Sequence, residues 1–370
     1  MKSMKIGMLA AAVAAAAALG SQAAEEKPKS RPDVEVVFAI DTTGSMGGLI
    51  EAAKQKVWSI ANEVAKGKPA PRIKLGLVAY RDRGDSYVTQ VFDLSDNLDK
   101  VYKDLLAFKA DGGGDFPEHV LKALDDSAEK ISWSSDPKTL KVLYLVGDAP
   151  PHTEYGDTPP MEKILQKLVK KGVILNSIQC GREPQTAEAW QKMARLGEGK
   201  FLAIAQDGGV AAVATPFDAR LAEASRRLDG TMLAYGSRKA EAVRGMALSR
   251  EVAAAAPASA VADRAVFKAK AGFDGTLDLA QAVEEKKVDA SKLKDAELPD
   301  ALRGLSAEER TARIDEAIKQ RHEIQNEIDE LNVKRANYLK EASAKSPKDS
   351  FDAQVARTLR EQAALKGIRY

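Results

Sequence analysis

Val34-Glu35-Val36-Val37-Phe38-Ala39-Ile40-Asp41-Thr42-Thr43-Gly44-Ser45-Met46-Gly47-Gly48 decides how the chain reads. A β-branched, apolar run stops at an aspartate and passes into a hydroxyl-rich glycine turn. The run is continuous rather than alternating, which a strand needs when helices cover both of its faces. Asp41, Thr43 and Ser45 stand at i, i+2 and i+4. A turn at the carboxyl end of such a strand can aim one carboxylate and two hydroxyls at a single point. That set suits a hard cation such as Mg²⁺, which takes oxygen ligands at about 2.1 Å.

Outward from this stretch the pattern alternates. A helix from about Met46 to Lys66 carries Leu49, Ile50, Ala53, Val57, Ile60, Ala61 and Val64 on a 3/4 spacing. Pro69 and Pro71 precede a second strand, Ile73 to Tyr80, and Arg81 to Asp85 turns into a third, Tyr87 to Leu94. These two read as a hairpin that puts an antiparallel edge strand on the sheet. Asp96 or Asn97 caps a helix through Phe108. Helix His119 to Ile131, strand Thr139 to Val146, helix Pro160 to Lys170, strand Val173 to Gln179, helix Thr186 to Leu196, strand Lys200 to Ala205 and helix Thr215 to Leu228 follow. The expected fold is α/β, a doubly wound and mostly parallel sheet with helices on both faces. Ligands of such sheets bind beyond the carboxyl ends of strands. The first turn lies there, and so do two further loops, Gly112-Gly113-Gly114-Asp115-Phe116-Pro117-Glu118 and Leu145-Val146-Gly147-Asp148-Ala149-Pro150-Pro151-His152.

Asp-x-Thr-x-Ser after a buried strand, with those two loops in that order, resembles the von Willebrand factor A domain and its metal-ion-dependent adhesion site. The resemblance covers about half the chain. It implies that Asp41, Thr43 and Ser45 supply the first ligands and Asp148 the ligand of the third loop. In the second loop the family presents a threonine, and this chain presents Asp115. Gly-Gly-Gly-Asp-x-Pro-Glu, Asp-Ala-Pro-x-His and Tyr80-Arg81-Asp82 together resemble a bacterial, exported subclass of A domains. Three carboxylates around a divalent cation leave a formal −1 where two leave zero, so the site should hold its ion more tightly and draw a partner's acidic side chain less strongly. Asp111 competes for the place of Asp115, and Asp115 also reads as a cap for a helix that starts near Pro117. The ion expected is Mg²⁺, with Mn²⁺ or Ca²⁺ as alternatives. The partner expected is a protein, engaging the metal through an acidic side chain.

The termini read differently. Lys2 and Lys5 precede the apolar stretch Met8 to Leu19, and Ser21-Gln22-Ala23 offers small residues for cleavage, so 1–23 reads as a secretory signal peptide and 24–33 as a leader. The apolar stretch falls short of the ~20 residues that span a bilayer. The expected location is therefore exported, periplasmic or secreted, with no membrane span after cleavage. Cleavage removes two lysines and no acid, which takes the formal charge from +2 to zero and gives no reason to propose nucleic acid as a partner. The single cysteine, Cys180, closes a strand and reads as a small buried residue.

The A domain is placed at 34–228. Beyond it, 229–298 reads as an Ala/Lys/Glu-rich helical or linker region, and 299–370 as a helical hairpin or short coiled-coil tail, all-helical throughout. Ser306-Ala307-Glu308-Glu309 opens a long helix with a capping box. Along its seam Ile314, Ala317, Arg321, Ile324, Ile328, Leu331, Arg335 and Tyr338 include two arginines, an imperfection that fits a hairpin folding back on Phe351 to Leu365 better than a long coiled coil.

Enzymatic readings fare poorly. A nucleophile elbow around Ser45 needs glycine two residues earlier, where Thr43 stands. Neither a Gly-x-x-x-x-Gly-Lys loop nor a Gly-x-Gly-x-x-Gly turn occurs. His152 reads as a hydrogen-bonding surface residue rather than a ligand, and Trp133 and Trp190 as packing residues on helices. Glu118 and Arg81 read as loop residues near the site, with a supporting role. The expectation is a non-enzymatic, metal-binding interaction protein. Its rival is a structural or assembly factor acting through the helical tail, and a serine hydrolase using Ser45 comes last.

Overall fold

A computed structural model describes residues 31–210, 213–343 and 350–370. The expected signal peptide and most of the leader lie outside these residues. No helix among the described residues is long and apolar enough to cross a membrane.

β1 (Asp33–Asp41) runs into a 3-10 turn at Gly44–Met46 and then α1 (Gly47–Ala65). β2 (Arg72–Tyr80) and β3 (Thr89–Ser95) follow, then α2 (Leu98–Leu106), whose cap Asn97 accepts from the Lys100 amide. α3 (Val120–Glu129), β4 (Leu140–Gly147), α4 (Met161–Lys170), β5 (Val173–Cys180), α5 (Pro184–Leu196) and β6 (Glu198–Ile204) complete the alternation. The strands lie in the order β3-β2-β1-β4-β5-β6. All neighbours are parallel except the edge pair β2 and β3, as the hairpin reading expects.

The order reverses between β1 and β4, so these two neighbours have loops that leave toward opposite sheet faces. A doubly wound sheet opens its ligand crevice at that point. Register pairs Ile40 with Val146, which brings Asp41 and the Gly147-Asp148 turn together. Gly147 is required there: a Cβ would lie 2.4 Å from the Tyr80 hydroxyl and 3.0 Å from the Asp41 Cβ.

β1 is buried from Val34 onward and β4 throughout. Val34, Val36, Phe38 and Ile40 enter the core beneath α1 and α2, whereas Val37 and Ala39 enter the core beneath α3, α4 and α5. Both faces are therefore sealed, which explains the unbroken apolar run. Trp190 of α5 is fully buried, but Trp133 lies beyond the end of α3, its indole donating to the Ser127 carbonyl at 2.8 Å.

Beyond the sheet come α6 (Asp218–Gly230), α7 (Lys239–Ala255), α8 (Ala258–Ala271), α9 (Leu279–Glu284), α10 (Ala307–Ser343) and α11 (Phe351–Ala364). The segment 229–298 thus holds the helices α7, α8 and α9, with irregular stretches at 231–238, 272–278 and 285–298. Leu221, Leu228, Val266, Ile324, Ile328 and Leu331 form a core of their own among α6, α8 and α10. The capping box at Ser306 forms, with reciprocal bonds to Glu309 at 2.8 and 3.2 Å.

The hairpin expected for 299–370 does not form. α11 packs against α1, β4 and β6, with Phe351, Val355, Leu359 and Ala363 joining the same core as α1 and α2. Gln362 and Asn176 of β5 exchange amide hydrogen bonds at 2.9 and 3.1 Å. The last helix thus belongs to the layer covering the sheet, and α6 to α10 form an insertion before it. The reason lies in the seam of α10. Arg321 and Arg335 are not flaws in it: they pair with Asp278 at 2.6 Å and with Asp218 and Asp263 at 2.7 and 2.6 Å. That commits the seam to α6, α8 and α9 and leaves the apolar face of α11 for the sheet.

Candidate metal centre

The site grows from the end of β1. Asp41 is fully buried, and its Oδ1 accepts from the Thr43 amide at 2.8 Å and the Thr43 hydroxyl at 2.7 Å. Thr43 Oγ1 lies 3.4 Å from Ser45 Oγ. The other carboxylate oxygen, Oδ2, is buried without a hydrogen-bond partner.

The second loop is stitched to the first. The Gly44 amide donates to Gly112 O at 3.2 Å and the Asp111 amide to Thr42 O at 3.1 Å. Buried Arg81 clamps both, donating to Thr42 O at 3.1 Å and Lys109 O at 2.8 Å. Gly113 has φ +81°, and a Cβ there would stand 3.1 Å from the Thr43 Cβ, so glycine lets the loops close. The third loop is pinned from α5: Thr186 Oγ1 donates to Asp148 O at 2.9 Å and the Trp190 indole to Ala149 O at 3.0 Å. Second and third loops join through Glu118 N to Pro150 O at 3.0 Å and His152 N to Glu118 O at 3.1 Å.

Thr43, Ser45, Asp148, Glu118 and Asp115 frame a cavity of about 180 Å³. Burial drives the Asp41 carboxyl up to about 7 against the two Thr43 hydrogen bonds, with Asp148 adding to the rise. Glu118 is pushed up to about 9 by burial, then by Asp41, Asp82, Asp85 and Asp148, and its Oε2 is also buried without a partner. Two orphaned carboxylate oxygens, two hydroxyls and a third carboxylate at Asp148 form an oxygen-only donor set that fits a hard divalent cation.

Of the residues expected at the site, Asp41, Thr43, Ser45 and Asp148 converge. Asp115 reaches the rim, where its Oδ2 lies 3.6 Å from His152 Nε2. Asp111 turns toward Arg81 at 3.5 Å and takes no part in lining the cavity. His152 is buried rather than on the surface, because Tyr155 stacks on its ring at 4.2 Å. Gln206 was not foreseen. Its amide donates to Asp148 Oδ2 at 2.6 Å, and its place just after β6, at the carboxyl end of a strand, was the signal that could have found it. Ser45 Oγ lies 3.4 Å from Thr43 Oγ1, while His119 pairs with Asp157 at 3.1 Å and His152 with Glu154 at 2.5 Å. Cys180 is buried and its thiol is held well above its ordinary range, chiefly by burial, as a packing residue requires.

Residues 35–215 match the family model of the von Willebrand factor A domain. The von Willebrand factor A domain-containing protein 7 of Rattus norvegicus is 39% identical over 94 residues, 25% of this chain and 10% of that protein. An alpha-protein kinase of Dictyostelium discoideum is 28% identical over 124 residues, 33% of this chain and 19% of that protein. The chain thus spans only a tenth to a fifth of the length of these relatives. Among solved structures, the proximal thread matrix protein 1 of the mussel byssus aligns at 17% identity and a TM-score of 0.37 over 48% of this chain and 43% of that one.

Proposed function

We propose that the von Willebrand factor A domain of this chain is an exported interaction module. A divalent cation at the ends of β1 and β4 would present an open coordination position to a carboxylate of a protein partner. The observation that carries this reading is the buried, unpartnered Oδ2 of Asp41 beside Asp148 and the Thr43 and Ser45 hydroxyls. A cation there would supply a Lewis-acidic centre for the incoming carboxylate. The chain supplies the rest. Asp41 and Asp148 provide charge, Thr43 and Ser45 provide neutral oxygens, and Gln206 orients Asp148. Asp115, at the rim, adds negative charge facing the partner, which tempers the pull on an acidic ligand. Mg²⁺ is the proposed ion, with Mn²⁺ and Ca²⁺ as the alternatives.

Calorimetric titration of Mg²⁺ and Mn²⁺ into the metal-free full chain tests this reading, followed by capture of partners with and without chelator. One equivalent of Mg²⁺ should bind in the parent, and both Mg²⁺ binding and capture should vanish in Asp41→Ala. No heat and no thermal shift with any divalent ion would overturn it. A second reading assigns the contact to the inserted helices, where Val333 and Tyr338 of α10 are 61% and 41% exposed. It predicts that capture survives Asp41→Ala and is lost when those two side chains are made charged. Truncation after Leu228 would not separate the readings, because it strips α11 from the sheet.

A further inference from the structure

Beside the oxygen-only centre the turn after β2 and the second and third loops bring together a second group of a different chemical kind. Asp82 follows β2, Asp115 belongs to the glycine loop, and His152 closes the third loop. One potential ligand atom from each lies within 4.8 Å of the others. His152 is 95% buried by its 5% exposure, and its Nε2 has no hydrogen-bond partner although it points at Asp82 Oδ2, 3.5 Å away, and Asp115 Oδ2, 3.6 Å away. Asp82 is 4% exposed, and its Oδ1 is likewise buried without a partner.

The surroundings fix the ring. Glu154 Oε1 lies 2.5 Å from His152 Nδ1; in the tautomer whose Nδ1 donates to that carboxylate, Nε2 turns its lone pair toward the two aspartates. A carboxylate behind an imidazole is how metal-ligating histidines are commonly held. Tyr155 supports the arrangement twice, stacking on the ring at 4.2 Å and donating its hydroxyl to Asp82 Oδ2 at 2.9 Å. In that tautomer the ring nitrogen and the two carboxylates offer only acceptors, and such a set gains a bonding partner when a cation enters. Ligands bonded at about 2.0–2.1 Å in a tetrahedron stand about 3.4 Å apart. Both measured separations from Nε2 are close to that edge.

We propose that Asp82, Asp115 and His152 form a second cation site, one that takes Zn²⁺ or a similar transition-metal ion with three protein ligands and a position open to water or a partner group. An imidazole ligand favours this class of ion over Mg²⁺. The inference shares Asp115 with the rim of the first cavity, but Asp41, Thr43, Ser45 and Asp148 take no part in it. It gives the Tyr-Arg-Asp, Gly-Gly-Gly-Asp and Asp-Ala-Pro-x-His segments one shared purpose, since each supplies one ligand.

Zn²⁺ is titrated into the metal-free full chain in excess Mg²⁺, with bound metal counted by elemental analysis. One equivalent of Zn²⁺ should bind. His152→Ala and Asp82→Asn should lose it, Asp41→Asn should keep it, and Glu154→Gln should weaken it by about 10- to 100-fold. Unchanged thermal unfolding in excess Mg²⁺ shows that a variant has folded. Should His152→Ala fail to fold, Co²⁺ added to the unmodified chain must show the visible bands of a low-coordinate, nitrogen-bearing site. Equal Zn²⁺ binding in the parent and His152→Ala overturns the proposal, and so do loss only in Asp41→Asn or a Co²⁺ spectrum no different from that of the hydrated ion.

Discussion

Around the inserted helices, buried acids meet arginines. Arg264 takes Asp99 at 2.6 Å and Asp229 at 3.2 Å, Arg321 takes Asp278 at 2.6 Å, and Arg335 takes Asp218 and Asp263 at 2.7 and 2.6 Å. At the ends of β1 and β2 and in the glycine loop, Asp41, Asp82 and Glu118 are comparably buried, but each keeps an oxygen with no partner. The one buried arginine there, Arg81, directs its donors chiefly at backbone carbonyls and the Thr42 and Ser86 hydroxyls. Pairing does not lower every one of these acids, since burial keeps the Asp263 carboxyl above its ordinary value despite Arg335, but Asp99 contrasts with the loops. Burial raises the Asp99 carboxyl, yet the Arg264 hydrogen bond and charge carry it below its ordinary value, whereas Asp41 and Glu118 are driven up. The insertion neutralises itself from within the chain. The loops leave carboxylate oxygens without a partner, which is what the proposed cation would meet.

The largest effect should come from breaking an internal pair. Arg321→Ala leaves Asp278 charged and buried, and removing one partner of a buried pair costs about 3–5 kcal/mol. Urea unfolding at neutral pH reads it directly, and a cost under about 1 kcal/mol, the range of exposed pairs, would dissolve the contrast. Next comes the external cation. At a hundredfold excess over its dissociation constant, Mg²⁺ should stabilise the parent by about 2.7 kcal/mol and leave Asp41→Asn unmoved in the same melts.

The smallest effect is a pH slope in chelator. The folded carboxyls of Asp41 and Glu118 sit at about 7 and about 9, above the ordinary 3.8 and 4.5, so the folded state binds more protons than the unfolded. Their contribution is complete below about pH 4 and is lost as pH rises through 7 and then 9. Asp41 alone should cost the metal-free parent about 2 kcal/mol between about pH 5 and 7. Asp41→Asn, which keeps an acceptor for Thr43, should flatten that part of the slope. A metal-free protein that grows more stable over this range would show that these acids are already neutralised within the chain.

Much of this was legible before any coordinates. The unbroken run Val34 to Ile40 announced a strand covered on both faces, and the hydroxyls spaced along the turn after Asp41 announced where oxygen ligands would gather. Both signals are local, and backbone geometry translates them directly. Arg321 and Arg335 misled for the opposite reason. Taken along one helix they look like breaks in an apolar seam, and only Asp278, Asp218 and Asp263, between 43 and 117 positions away, make them part of it. His152 misled likewise: its burial depends on Tyr155, a contact that periodicity does not encode.

By itself the sequence determined the alternation of strands and helices, the antiparallel edge and the turn at Asp41, because each depends on the spacing of side chains along a short piece of backbone. Tertiary structure alone decided that α11 closes the sheet while α10 is held by its arginines, and that Asp82, Asp115 and His152 meet. Those outcomes rest on which distant surfaces can bury apolar area and charge against each other, and that competition is settled only when the whole chain packs.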